Sequence, residues 1–302
     1  YFQLERYGDA LLPLKIALKV QPRMVAAHFT LGKVYAALDN HRQAIVEYKK
    51  TLEITPIYPD AFFQLGRSYV GMKMFNEGVQ AYHDTLRLSP NFYEAYIGIG
   101  KAYINAERSD EAIAPLRNAI AINPLSIEAY DNLGLAYANM GEHEKSLAPY
   151  LELARIDFRN PVAHYKAGVA YSRFNKKRKA IKKFEEAIRL NEDFPEAQFN
   201  IAWLYQELGE AKNALQFYNN TIKYDPNNLE AFYNTGEIHE SFERYQMAAK
   251  AFREVIRIDP DHVEAHAKLG RSYAKLNLPE EALAEFNIAL RINPNLAETY
   301  YQ

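Results

Sequence analysis

The stretch RIDPDHVEAHAKLG, residues 257–270, places His262 and His266 four apart with Glu264 between them. Two histidines at that spacing share a face of one helix, and zinc peptidases use H-E-x-x-H with the glutamate as general base. The fold and the chemistry both turn on whether this stretch is a site or one copy of something repeated.

It is one copy. Prolines fall at Pro22, Pro56, Pro90, Pro124, Pro226, Pro260 and Pro294, separated by 34 residues or a multiple of it. Two beats are missed, at Phe158 and Glu192, and Pro161 and Pro195 follow three residues later. There proline can open the next helix, where its missing N–H is not needed. With the periodic prolines at position 32, residues 25–296 divide into eight units without insertion: 25–58, 59–92, 93–126, 127–160, 161–194, 195–228, 229–262 and 263–296. Position 8 reads Gly32, Gly66, Gly100, Gly134, Gly168, Ala202, Gly236 and Gly270. Position 11 reads Tyr35, Tyr69, Tyr103, Tyr137, Tyr171, Tyr205, His239 and Tyr273. Position 20 is usually alanine, and position 24 is usually an aromatic ring.

Positions 4, 7, 8 and 11 make one face of a first helix, and positions 20, 24, 27 and 28 one face of a second. Each repeat is therefore expected to be a helical hairpin. Glycine inside a helix costs about 1 kcal/mol relative to alanine, so its recurrence at position 8 predicts a neighbour too close for a side chain. The prolines at position 23 (Pro13, Pro115 and Pro149) predict a tolerated kink in the second helix.

This pattern resembles the tetratricopeptide repeat (TPR) family over essentially the whole chain. The period agrees in register with glycine at position 8, tyrosine at position 11, alanine at position 20 and proline at position 32. The resemblance implies an all-α fold, a right-handed superhelix of paired helices with the first helix of each pair lining a concave groove. It further implies that residues 1–24 hold the second helix of a partial repeat and 297–302 the start of a further helix. Departures such as Ala202, His239, Gly78 and Ser146 bear on local packing only.

In this frame His262 and His266 occupy positions 34 and 4, filled elsewhere by Tyr58 and Phe92 or by Phe62 and Tyr96. They are scaffold variants, and no metal site is expected. No nucleophile elbow occurs, and GIGK at 98–101 lacks the first glycine of a phosphate-binding loop. Catalytic residues and cofactors are accordingly not expected. Lys+Arg 36 against Asp+Glu 38 leaves little net charge, which argues against nucleic-acid binding driven by bulk charge. No apolar run approaches the roughly 18 residues of a membrane helix. The absence of cysteine suits cytoplasm and periplasm alike. The dense charge run RFNKKRKAIKK, residues 173–183, reads as a solvated turn.

Function is then expected on the first-helix face left over, at positions 2, 5, 6, 9, 12 and 13. Early in the chain it carries Phe29 with Lys33, Phe63 with Gln64 and Arg67, and Ile97 with Lys101. An apolar residue one turn before a cation suits a peptide with acidic and apolar groups. Later come Asn132, Asn200 and Asn234, whose amides can both donate to and accept from a peptide backbone. They resemble the asparagine ladder in the repeat arm of O-linked N-acetylglucosamine transferase. Tyr165, Phe199, Trp203 and Tyr233 stand ready to stack, and Glu207, Glu237 and Glu240 make the later groove acidic. Chaperone-binding relatives pair a lysine at position 5 with an asparagine at position 9, and no repeat here has that pair.

The expected function is a noncatalytic scaffold holding a partner peptide or protein segment in its groove. The alternatives are the substrate-recruiting arm of a larger enzyme, such as a glycosyltransferase, and a structural unit that self-associates through open repeat ends.

Overall fold

The computed structural model describes residues 7–294, so the expected helix start at 297–302 and the first six residues of the partial repeat lie outside the described part. The chain divides into two compact units, Tyr1–Asp157 and Phe158–Gln302. The first contains α1 (Tyr7–Val20), α2 (Val25–Ala37), α3 (His41–Ile54), α4 (Pro59–Gly71), α5 (Phe75–Leu88), α6 (Tyr93–Asn105), α7 (Ser109–Ile122), α8 (Ile127–Asn139) and α9 (His143–Ile156). The second contains α10 (Pro161–Arg173), α11 (Lys177–Leu190), α12 (Pro195–Glu207), α13 (Ala211–Tyr224), α14 (Leu229–Ser241), α15 (Tyr245–Ile258), α16 (Val263–Lys275) and α17 (Pro279–Ile292). Among the described residues there is no strand. Helices pack most closely two by two, from α2 with α3 to α16 with α17, and each pair then packs on the next within its unit.

Glycine at position 8 is explained by what lies over it. A Cβ on Gly168 would sit 2.6 Å from the Phe184 ring, on Gly134 2.5 Å from Tyr150, and on Gly236 2.6 Å from Phe252. The obstacle is the position-24 ring of the same hairpin, rather than the backbone of another helix. Those rings are among the most buried side chains, Tyr48, Phe184, Tyr218 and Phe252 being fully enclosed. Alanine at position 20 (Ala44, Ala112, Ala180, Ala214, Ala248) is fully buried beside them. Burial pushes the Tyr48, Tyr82, Tyr150 and Tyr218 phenols well above their ordinary range, so they are neutral O–H groups.

Every turn within a hairpin is closed the same way. At position 15 the backbone is left-handed at Asp39, Lys73, Glu107, Gly141, Asn175, Gly209, Glu243 and Asn277. The following N–H reaches back to the carbonyl of position 11, as in Arg108 N to Tyr103 O at 2.9 Å and Asn40 N to Tyr35 O at 2.8 Å. The position-15 N–H bonds the carbonyl of position 12, as in Glu107 N to Ile104 O at 3.0 Å. This is the Schellman ending of a helix, usually built on glycine. Here only Gly141 and Gly209 supply one.

Helices α1, α7 and α9 continue through Pro13, Pro115 and Pro149 without a break. The charge run at 173–183 begins on the last residue of α10, turns through Lys176 and then forms the start of α11. Three of its cations form ion pairs: Lys177 with Glu207 at 3.2 Å, Arg178 with Glu210, and Lys183 with Glu186 at 2.7 Å.

Two stability measurements test these packing rules. Gly168→Ala is expected to destabilise the second unit by about 1–2 kcal/mol in urea unfolding, because overpacking outweighs the helix-propensity gain. Ala202 holds the same position in the sixth repeat and packs in one cluster with Tyr218, so a methyl group can be accommodated there. Glu107→Gly, at φ 60°, is expected to stabilise the first unit by about 0.5–1 kcal/mol by relieving a left-handed non-glycine residue.

Candidate peptide-binding surface

The histidines that raised the question of a metal are absorbed into the scaffold. His262 caps α16, its Nδ1 accepting from Ala265 N at 3.2 Å, and its ring stacks on Tyr233. His266 is buried, with Nδ1 2.6 Å from Glu285 and Nε2 donating to Pro260 O at 3.0 Å. His28 repeats this arrangement with Glu47 at 2.6 Å and Pro22 O at 2.9 Å. His164 Nε2 donates to Phe158 O at 2.9 Å, and its Nδ1 lies 2.7 Å from the Glu186 carboxylate. In each case a position-4 imidazole ties the loop before its helix to a glutamate on the next one. Among the described residues, no group of three or more His, Cys, Asp or Glu is placed to hold a metal, and no helix is long and apolar enough to cross a membrane.

The position-5 aromatics are largely committed to packing. Phe29 lies 5.9 Å from Tyr48 and 4.9 Å from Tyr58; Phe63 lies 5.7 Å from Tyr82 and 4.9 Å from Phe92. Tyr165 meets Phe184 and Phe194, Phe199 meets Tyr218, and Tyr233 meets Phe252. Each of these position-5 rings remains half-buried, so an edge faces outward. Ile97 is only 3% exposed and belongs to the core.

Polar members of the stripe differ in how much they have left to offer. In the first unit Arg67 is exposed, and its bond is to Gln64, Nη1 donating to Oε1 at 3.4 Å. Lys33 is half-buried, 5.8 Å from the Phe29 ring. Lys101, by contrast, is held by Glu128 at 2.7 Å. Asn132, Asn200 and Asn234 each donate to the carbonyl four residues back, at 2.7, 2.7 and 2.9 Å, which leaves their amide oxygens as acceptors. Asn200 also donates to Tyr165 Oη at 3.3 Å. Trp203 is 41% exposed, the most exposed ring of the stripe.

The acidic character expected of the later groove is largely neutralised within the second unit. Lys268 pairs with Glu237 at 2.8 Å and Glu240 at 3.1 Å, and Arg271 with Glu240 at 2.6 Å. Burial pulls the Lys268 ammonium down, but its bonds to the two carboxylates outweigh this and raise it. These pairs join helices one repeat apart, a connection that no single repeat reveals.

A tetratricopeptide repeat profile matches residues 1–61, 63–127, 99–161, 165–222, 202–262 and 242–297. The chain belongs to the tetratricopeptide repeat family. Its fold is the all-α class of tandem helix pairs found in solved TPR proteins. The C-terminal part of a TPR repeat-containing protein from Cytophaga hutchinsonii superposes with a TM-score of 0.72 at 16% identity, over 80% of this chain and 99% of that one. MamA is similar at 28% identity and a TM-score of 0.52, over 56% of this chain and 92% of that one. YrrB, described as a TPR protein with an unusual peptide-binding site, is similar at 22% identity and a TM-score of 0.51, over 61% of this chain and 95% of that one. No curated protein sequence matches the chain.

The role of the position-4 histidines as tethers carries its own test. His28→Leu leaves the Glu47 carboxylate, only 8% exposed, with Lys50 at 2.9 Å as its remaining charged partner. It is expected to cost about 1–3 kcal/mol in urea unfolding, the range for stranding a buried acceptor.

Proposed function

We propose that this TPR protein is a noncatalytic scaffold that holds an extended segment of a partner protein along the first-helix stripe. The observation that carries this reading is a contrast in how side chains are used. His28 and His266 are tied to glutamates of the following helix, and Lys177 and Lys268 to glutamates of a neighbouring helix. Arg67 and Gln64 in the first unit, and Trp203, Asn200 and Asn234 in the second, keep donor, acceptor or ring surface beyond what packing uses. An exposed ring beside amide acceptors suits a peptide's side chains and backbone together. Peptide binding on this fold is described for YrrB, and that precedent supports the reading.

Within the stripe the contributions are graded. Phe29, Phe63, Tyr165, Phe199 and Tyr233 shape the wall through their outward edges. Lys33 adds positive charge beside Arg67, and Asn132 offers its amide oxygen. Ile97 acts through the core, and Lys101 must first leave Glu128.

Capture of partners from a lysate, followed by mapping of the bound segment, tests this. Lys33→Glu with Arg67→Glu is expected to weaken the captured segment at least tenfold, and Trp203→Ala by about fivefold to a hundredfold, the range for an exposed aromatic anchor. Lys101→Glu is expected to matter least of the three charge reversals. Unchanged capture by all of these variants would reject the stripe as the binding surface.

A further inference from the structure

The second helices of the hairpins differ in charge between the two units. In the second unit α11, α13 and α15 carry eleven lysines and arginines against three glutamates. In the first unit α3, α5, α7 and α9 carry seven against eight aspartates and glutamates. The excess is concentrated at positions 18, 22, 25 and 29, whose spacings of four, three and four put them on one stripe of each helix. On α11 these are Arg178, Lys182, Glu185 and Arg189, and on α13 Lys212, Gln216, Asn219 and Lys223. On α15 they are Gln246, Lys250, Arg253 and Arg257. All twelve are exposed, and none is apolar. In α17 the same positions read Glu280, Ala284, Asn287 and Arg291, so the array ends at α15.

The three helices are tied side by side. Arg178 pairs with Glu210 just before α13, the Tyr224 hydroxyl donates to Glu192 beyond α11 at 2.6 Å, and Arg257 Nη2 donates to Pro226 O beyond α13 at 3.3 Å. Each stripe is roughly 16 Å long at about 1.5 Å per residue, and three of them make a two-dimensional patch. Arg178, Lys223 and Arg257 are engaged by Glu210, Glu192 and Glu254. Lys182, Arg189, Lys212, Lys250 and Arg253 form no ion pair among the described residues. With Glu185 counted too, eight cations against four carboxylates leave four positive charges on the patch. Asp193, Asp225, Glu243 and Asp259 lie in the turns beyond the ends of these helices.

A complementary surface must be anionic and extend in two dimensions. Protein interfaces centre on aromatic or apolar anchors withdrawn from water, and these stripes have none. Single-stranded nucleic acid is held by a track of cations with rings on which bases stack. Here the cations spread across the helices as widely as along them, and no ring stands among them. A layer of anionic headgroups asks only for lysines and arginines held within a screening length of it. We propose that this face of α11, α13 and α15 docks on an anionic lipid surface, held by charge and without insertion. Lys182, Arg189, Lys212, Lys250 and Arg253 supply the attraction, and the amides of Gln216, Asn219 and Gln246 donate to headgroup oxygens. The inference goes beyond the scaffold reading, because a partner segment and the lipid surface address different helices of each hairpin.

The test is co-sedimentation of the full chain with vesicles of phosphatidylcholine alone, or with about one third phosphatidylserine, at about 0.05 and 0.5 M salt. Binding is expected to the anionic vesicles at low salt, to fall at least about tenfold at high salt, and to be absent with phosphatidylcholine alone. Lys182→Gln combined with Lys250→Gln and Arg253→Gln is expected to weaken it at least about tenfold, each cation near such a surface contributing up to about fivefold. All three side chains are exposed, so the urea midpoint is expected to stay at that of the parent. Arg42→Gln combined with Lys49→Gln and Arg87→Gln removes as many cations from the first unit and is expected to leave vesicle binding nearly unchanged. The proposal is overturned if anionic vesicles do not bind at low salt, if uncharged vesicles bind equally, or if the second-unit variant binds undiminished. Equal losses in the two triple variants would overturn it as well, by showing an effect of overall charge. So would tighter binding, per negative charge, of a DNA duplex or of polyglutamate than of the vesicles.

Discussion

The structure depends on one contact repeated along the chain: an aromatic ring of the second helix lying directly on a glycine of the first. A ring carbon already stands 2.5 Å from where the β-carbon of Gly134 would be, and 2.6 Å from that of Gly168. The glycine lowers local helix propensity, and the ring offsets that cost by burying a large apolar surface against bare backbone. Leu116 replaces the ring over Gly100, so the requirement is for bulk more than for aromaticity. With the hairpin angle fixed in this way, alanine at position 20 fits beside the ring and successive hairpins are built alike.

The turn joining the two helices is under a second constraint, and it is met with some strain. Eight left-handed residues close eight Schellman turns, and six of them are not glycine. The hydrogen bonds from positions 15 and 16 back to positions 12 and 11 hold the strained residue in place. Side chains such as Lys73 and Glu107 therefore sit at hairpin tips in a conformation they would not choose alone. Repeat proteins distribute stability over neighbours, so relief of one such turn acts on its own hairpin and those it touches.

Charge is also committed between neighbours. Lys268 with Glu237 and Glu240, Lys177 with Glu207, and Lys101 with Glu128 each connect helices of successive repeats. Three histidines tie loops to glutamates on the following helix. Part of the charge seen in sequence is thus engaged between neighbouring helices. Such pairing differs from repeat to repeat: the buried Tyr48 and Ser68 hydroxyls lack the hydrogen-bond partners that Tyr218 and Ser272 have.

The sequence by itself determined the helical hairpin, its 34-residue period and the family, because glycine, tyrosine, alanine and proline recur in one register and answer to local rules of helix packing and termination. It also identified the helix face that packing leaves over. It did not reveal the left-handed position 15, since six of the turns hide it behind Asp, Lys, Glu and Asn. Only tertiary structure decided that Ile97 is buried, that Lys101 is engaged and that Tyr48 has no acceptor while Tyr218 does. Each of these depends on which side chain of another helix stands opposite, 12 residues away along the chain for Tyr218 and 27 for Lys101. Such pairings are set by stacking geometry, whereas the register is set by the residues of each repeat alone.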